Sequence, residues 1–289
     1  MRIGLIDVDG HNFPNLALMR ISAYHKANGD DVEWWKGDMF HYGKVYMSKV
    51  FSDAYSRNMP DPMNADEVIK GGTGYAISLQ DGKEVFDKSK NENLPEEIEK
   101  MFPDYSLYPE YPFAVSMTSR GCPRGCAFCH VAAKEGRASI KVSDVSNFWR
   151  GQNEIKVLDP NITACKDKRD LMRQYIETGA SIDFTQGIDI RLVNDADIED
   201  LNNMRIKMLH FAWDNPNEDL EERFRNFAHS YRRKSGKTVY VLTNFNSTME
   251  QNLYRVYTLR DLGYDPYVMV YNKPEAPIEI RHLQRWVNN

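Results

Sequence analysis

No stretch of this 289-residue chain is long and apolar enough to span a bilayer. Its longest apolar runs are short segments such as Tyr267–Tyr271, whereas a span takes about 20 residues. The N-terminal MRIGLIDVDG reaches Asp7 and Asp9 before a signal-peptide core can form. Together these absences read as a cytoplasmic protein with no membrane partner. An excess of basic charge is also missing. The 37 Lys+Arg against 42 Asp+Glu leave a formal net charge of −5, which argues against an overall basic nucleic-acid binder but leaves room for a local patch. Only four cysteines are present, so a disulfide framework is not expected at this size. There is no internal repeat and no low-complexity segment. What the chain does have is core material. Apolar residues make up 42% and aromatics 12%, too many for a disordered chain. A chain of this length can bury roughly three quarters of its unfolded surface.

The pattern divides the chain. Residues 2–8 read as a buried strand. A helix follows over 14–27, with Pro14 suited to the first helical position and Gly29 to the stop. Further short strands read at 32–35, 44–51 and 67–70, the last running into the turn Gly71-Gly72-Thr73-Gly74. A short helix is expected over 95–102. This is half of an open α/β sheet. The Tyr/Pro-rich stretch YSLYPEYP then marks a boundary, giving domains 1–107 and 108–289. Beyond it, strand-like runs at 113–117, 155–158, 182–185, 208–213, 239–243 and 267–271 alternate with helical segments at 143–150, 166–178, 195–204, 217–234, 248–262 and 277–287. Six β–α units predict a parallel sheet with right-handed crossovers. Six are too few for the eight-stranded barrel, so a partial barrel or curved open sheet is expected, with its chemistry at the C-terminal strand ends.

The densest signal is Ser119-Arg-Gly-Cys122-Pro-Arg-Gly-Cys126-Ala-Phe-Cys129. Thiolates spaced C-x3-C-x2-C can wrap one soft metal centre from a tight loop, and Gly121, Pro123 and Gly125 let the backbone make it. Three ligands on a four-iron cluster leave one iron open, the feature that separates a reactive metal site from a closed structural one. A zinc site with His130 or Cys165 as fourth ligand is the alternative, although no second C-x2-C pair is present.

The cysteine motif after a first barrel strand closely resembles that of the radical S-adenosylmethionine (SAM) enzymes, over about residues 110–275. The resemblance implies a 4Fe–4S cluster on Cys122, Cys126 and Cys129. SAM would chelate the open iron and be cleaved reductively to methionine and a 5′-deoxyadenosyl radical. It implies Phe128 beside the adenine, and a one-electron reductant such as flavodoxin or ferredoxin as partner. At the second strand end the family often carries Gly-Gly-Glu. Here the stretch is Leu158-Asp159-Pro160-Asn161, which makes Asp159 the substitute for a SAM contact, or simply a turn residue. Arg191 resembles an arginine that holds the SAM carboxylate; its plain alternative is an ion pair with Asp189 or Asp195. Asp214 stands where relatives place a glutamate that contacts SAM, and it could equally cap the following helix. Asn244 departs from the family's Gly-Leu-Pro-Gly and is assigned no contact. Trp213 and Phe245 read as core or wall residues, and Cys165 as a packed thiol rather than a substrate-facing one. No cysteines remain for a second cluster.

Residues 1–100 weakly resemble the Rossmann-like cobalamin-binding domain attached to many radical SAM enzymes. The matching pieces are the opening strand, the first helix and the Gly71–Gly74 turn. Asp9-Gly10-His11 resembles the start of a cobalt-ligating Asp-x-His-x-x-Gly motif, but Pro14 replaces its last glycine, so His11 reads as a loop residue. Trp34, Trp35 and Tyr75 are bulky enough to fill a corrin groove. The expectation is a degenerate domain that positions substrate or forms a lid, without cobalamin. The fold class is therefore α/β: an N-terminal Rossmann-like open sheet plus a partial (β/α)6 radical SAM barrel. The leading function is radical SAM chemistry on an unidentified substrate. The alternatives are a cobalamin-dependent radical SAM methyltransferase, a non-catalytic metal or cluster protein, and a partner protein for nucleic-acid or peptide modification.

Overall fold

The computed structural model describes residues 1–10, 13–57, 59–80 and 83–289. His11 lies outside them. The chain forms two units, Met1–Pro112 and Phe113–Asn289. The division therefore falls later than residue 107, for a packing reason. Tyr108 is buried, with its hydroxyl donating to Asp7 Oδ2 at 2.8 Å and its ring 5.2 Å from that of Trp34.

The first unit is built from β1 (Arg2–Asp7), α1 (Leu16–Ala27), β2 (Asp31–Trp34), β3 (Tyr42–Ser48), β4 (Ala65–Gly71), the hairpin β5 (Ile77–Gln80) and β6 (Lys83–Phe86), and the single turn α2 (Glu96–Glu99). The main sheet is parallel, in the order β2-β1-β3-β4. Alternation along β1 and β3 sends Ile3, Leu5 and Tyr46 toward α1, where Leu18 and Ile21 meet them. Ile6, Val8, Val45 and Met47 form a second core with Trp35, Phe40 and Tyr75. Pro14 is not the first helical residue. Asn15 caps α1, its side chain accepting from Leu18 N at 3.3 Å, because an amide oxygen can satisfy an orphan N–H and proline cannot. The expected 95–102 helix is only one turn, and the β5–β6 hairpin has no counterpart in the sequence reading.

The second unit contains β7 (Ala114–Ser116), β8 (Ser119–Arg120), α3 (Val131–Glu135), β9 (Ile140–Lys141), β10 (Glu154–Val157), α4 (Lys168–Thr178), β11 (Ser181–Phe184), α5 (Asp195–Asn203), β12 (Ile206–Ala212), α6 (Glu221–Ser230), β13 (Lys237–Thr243), α7 (Met249–Asp261), β14 (Asp265–Val270) and α8 (Ile278–Asn288). Six strands form one sheet in the order β14-β13-β12-β11-β10-β7, every pair parallel. This sequential order is the partial (β/α)6 barrel expected. The helices cover one face. Phe184 meets Tyr175 of α4 at 5.8 Å, Phe211 meets Phe227 of α6 at 5.0 Å, and Val268 packs with Val256, Leu283 and Val287. The helix expected over 143–150 is replaced by one short turn at Val145–Asn147. Among the described residues no helix is long and apolar enough to cross a membrane.

Candidate metal and SAM site

The cysteine loop leaves the sheet at the C-terminal end of β7 and is held by contacts its sequence dictates. Ser119 and Arg120 pair antiparallel with Lys141 and Ile140, closing a short ribbon at the base of the loop. Below it, Asp159 is fully buried. Its carboxylate accepts from Thr118 N (2.6 Å), Thr118 Oγ1 (2.8 Å), Ser119 N (2.6 Å) and Ser119 Oγ (2.6 Å). Burial pushes Asp159 up to about 6 while the four donors pull it back down. Gly121 turns with φ +86°, and a Cβ there would lie 2.1 Å from Ala138 O, so only glycine lets the ribbon approach this closely. Cys122 N then donates to Gly136 O, and Cys129 N to Cys126 O.

The three sulfurs sit half-exposed to exposed on this loop. Asn161 Nδ2 lies 3.5 Å from Cys122 Sγ. Burial pushes the Cys126 and Cys129 thiols up, and the neighbouring cysteines and Asp214 add to the effect. Among the described residues no three Cys, His, Asp or Glu side chains stand in finished metal-binding geometry. The donor set nonetheless fits a cluster chemically. The Cys126 and Cys129 thiols resist ionising, and a bound cationic cluster would relieve that cost.

Around the loop, Asp189 accepts from Arg124 Nε (2.6 Å) and Arg191 Nε (2.6 Å), and Arg191 also reaches Glu218 Oε2 at 2.6 Å. The Arg191–Asp189 pair considered as the plain alternative is thus present. Asp214 is half-buried one strand further along. Burial pushes it up to about 6, while Arg191, Arg255 and a backbone N–H of Leu242 pull it down. It does not cap α6, whose N-terminal flanking residue is Leu220. Phe128 lies edge-on to Phe245 at 5.5 Å, and Phe245 to Tyr271 at 5.0 Å, forming an aromatic wall. Trp213 is a core residue, with its indole N–H donating to Glu218 O at 2.9 Å. Cys165 is buried. Asn244 adopts φ 61° and donates to Tyr271 O at 2.8 Å.

Asp189, named above only as a partner for Arg191, joins Arg124, Asn161 and Glu218 in linking the cysteine loop to the strand ends, and the roles of these last three had no counterpart in the sequence analysis. Arg255 on α7 is buried and donates to Trp213 O (2.6 Å), Asp214 O (3.1 Å), Leu242 O (3.0 Å), Asn252 Oδ1 (2.7 Å) and Gln251 O (3.2 Å). Only Arg124, inside the cysteine motif, carried a signal that could have found it.

Asp214 has a consequence for stability. Its folded pKa of about 6 lies above the ordinary 3.8, so the folded state keeps a proton that the unfolded state releases. That contribution is complete below about pH 4 and is lost as pH rises through about 6. The second unit of the apoprotein should therefore lose on the order of 2 kcal/mol between these limits, and Asp214→Asn should flatten this part of the profile. Denaturant titrations at pH 4.5 and 7 check it; equal slopes for parent and variant would contradict it.

No protein-family model matches the chain. An uncharacterized methyltransferase of Pyrococcus horikoshii is 25% identical over 155 residues, covering 48% of this chain and 33% of that protein. The chain thus spans about a third of this curated relative's length. Among solved structures, the radical S-adenosylmethionine methyltransferase TsrM from Kitasatospora setae, with cobalamin and a 4Fe–4S cluster bound, superposes with a TM-score of 0.66. The match is at 11% identity and covers 93% of this chain and 74% of that one. The likeness establishes the fold: an α/β chain with a Rossmann-like sheet and a partial barrel.

The expectation against cobalamin draws no support from a neighbour that contains it. At the C-terminal edge of the first unit's sheet, between β1 and β3, the chain order reverses, which is where ligands of open parallel sheets sit. The described residues at that edge pack on one another. The Asp9 carboxylate accepts from Val50 N and Ser56 Oγ. The buried Lys49 ammonium pairs with Asp53 and lies 5.5 Å from the Tyr75 ring centroid. Gly72 and Gly74 serve this packing, since a Cβ on either would lie 2.2 Å from Lys49 O or Phe51 O.

Proposed function

We propose that this chain is a radical SAM enzyme acting on a substrate yet to be identified. The observation that carries the reading is the Cys122/Cys126/Cys129 loop rising from the first strand of a six-stranded parallel half-barrel, with Arg191 and Asp214 at neighbouring strand ends. When bound, the cluster would supply one electron to cleave SAM into methionine and a 5′-deoxyadenosyl radical. The protein's part is to bind and orient. Arg191 offers its guanidinium to the SAM carboxylate, in exchange for part of its pairing with Asp189 and Glu218. Asp214, once ionised, receives the SAM ammonium. Phe128 and Phe245 flank the adenine. Asp159 is left out of this set, because its four hydrogen bonds to Thr118 and Ser119 commit it to holding the loop. The electron would come from a flavodoxin- or ferredoxin-type donor. Two similar proteins named as methyltransferases favour group transfer as the outcome.

Equilibrium dialysis of SAM against the reconstituted protein tests the assignments. Arg191→Ala and Asp214→Ala should each weaken binding about tenfold or more, the usual weight of a charge-assisted contact, with iron content unchanged. Parent-like SAM binding by both would remove Arg191 and Asp214 from the site.

A further inference from the structure

The face of the six-stranded sheet opposite the helices carries polar chemistry that the proposed reaction does not use. Side chains alternate across a strand. With Phe184, Phe211 and Val268 turned toward the helices, Lys156, Asp183, His210, Tyr240 and Tyr267 share the inner face. They form a connected row. Lys156 Nζ lies 2.9 Å from Asp183 Oδ2 and 3.5 Å from Glu154 Oε1. The His210 ring stacks on Tyr240 at 5.4 Å and 17°, and Tyr240 meets Tyr267 edge-on at 5.9 Å.

Besides Glu154 Oε1, which faces Lys156, one further oxygen in the row is unmatched among the described residues. The Asp183 side chain is 9% exposed, yet among the described residues its Oδ1 has no hydrogen-bond partner. The nearby His210 Nδ1, 3.8 Å away, instead bonds Phe184 O at 2.8 Å. Donating that proton to a carbonyl leaves Nε2 of the neutral ring as a second acceptor. A buried carboxylate oxygen left without a donor is costly, and here it stands beside flat ring faces in a half-barrel.

We infer that this inner face is a ligand subsite for a flat group bearing N–H donors, an amidine-type N–C–N unit as found in a guanidinium or an amino-substituted heterocyclic base. Asp183 Oδ1 takes an N–H, His210 Nε2 accepts a second, and the Tyr240 and Tyr267 rings, at right angles to each other, wall the group. That this group belongs to the substrate rests on the radical SAM reading; the binding itself does not.

The test is ligand-observed NMR titration of the full chain, anaerobically reconstituted, with iron counted on the same sample. The probes are methylguanidinium, 9-methyladenine and, as a flat cation without N–H donors, N-methylpyridinium. One of the first two should bind about tenfold more tightly than N-methylpyridinium, and which one does so separates a guanidino source from a nucleobase source. Asp183→Asn should weaken that probe at least about fivefold while keeping its iron. Should Asp183→Asn fail to fold, Tyr240→Leu leaves the Lys156–Asp183 pair in place and should weaken the same probe about threefold or more. No binding by either donor probe, equal binding by N-methylpyridinium, or parent-like binding by the folded variants would overturn the subsite. Donor-dependent binding by a protein that takes up no iron would uphold the subsite and remove the radical reading.

Discussion

Cys122→Ala, Cys126→Ala and Cys129→Ala should each lower iron in the anaerobically reconstituted protein from about four per chain to near zero, whereas Cys165→Ala should retain it. The expectation follows from where the thiols stand. Cys122, Cys126 and Cys129 share one loop at the end of β7, within electrostatic reach of one another. Cys165 is buried beyond β10, after a separate turn at Ile162–Ala164. A three-ligand cluster has no spare thiolate to replace a lost one, so removal of any member is all-or-none. Iron and sulfide analysis with the visible absorption band reads the result. A Cys165→Ala protein that loses its iron would contradict the three-ligand assignment, and tight zinc retention in its place would support a structural site.

The second large effect is expected at Asp159. Replacing it with alanine orphans three buried donors, the N–H groups of Thr118 and Ser119 and the Ser119 hydroxyl, while the Thr118 hydroxyl keeps only Tyr175 Oη at 3.1 Å. An unsatisfied buried donor costs about 1–3 kcal/mol, and neighbouring donors do not add fully. A loss of roughly 4 kcal/mol is reasonable, which for a unit of this size lowers the melting temperature by roughly 10 °C. Asp159→Asn keeps one acceptor oxygen and should lose about half as much. The damage should reach the cluster as well, because Thr118 and Ser119 lead directly into the cysteine loop. A parent-like melting curve for Asp159→Ala would show that the clamp does not hold the loop.

The contrast between Asp159 and the cysteines indicates how much of this protein is written locally. The six strand–helix units are legible because apolar runs and turn residues report burial directly. The cysteine spacing is legible because three thiols in eight positions have few other uses. Asp159 sits where the pattern places it, at the end of the second barrel strand, but its partners lie forty residues earlier, and no spacing rule reports a contact across the sheet. The same holds for Arg255, whose acceptors are carbonyl ends of β12 and β13, and for Asp189, which gathers Arg124 and Arg191 from two loops. The β8–β9 ribbon escaped because each strand is two residues long. The glycine turn at Gly71–Gly74 was legible as a turn, but not as a turn closed by the chain's own Lys49 and Phe51.

The most direct measurement is of 5′-deoxyadenosine and methionine released when the reconstituted, dithionite-reduced protein is given SAM. The account predicts both products in equal amounts, depending on reductant and on Cys122, Cys126 and Cys129. A protein that carries four irons, binds SAM and releases neither product, even with a flavodoxin-type donor and the N–H-bearing probe present, would contradict it.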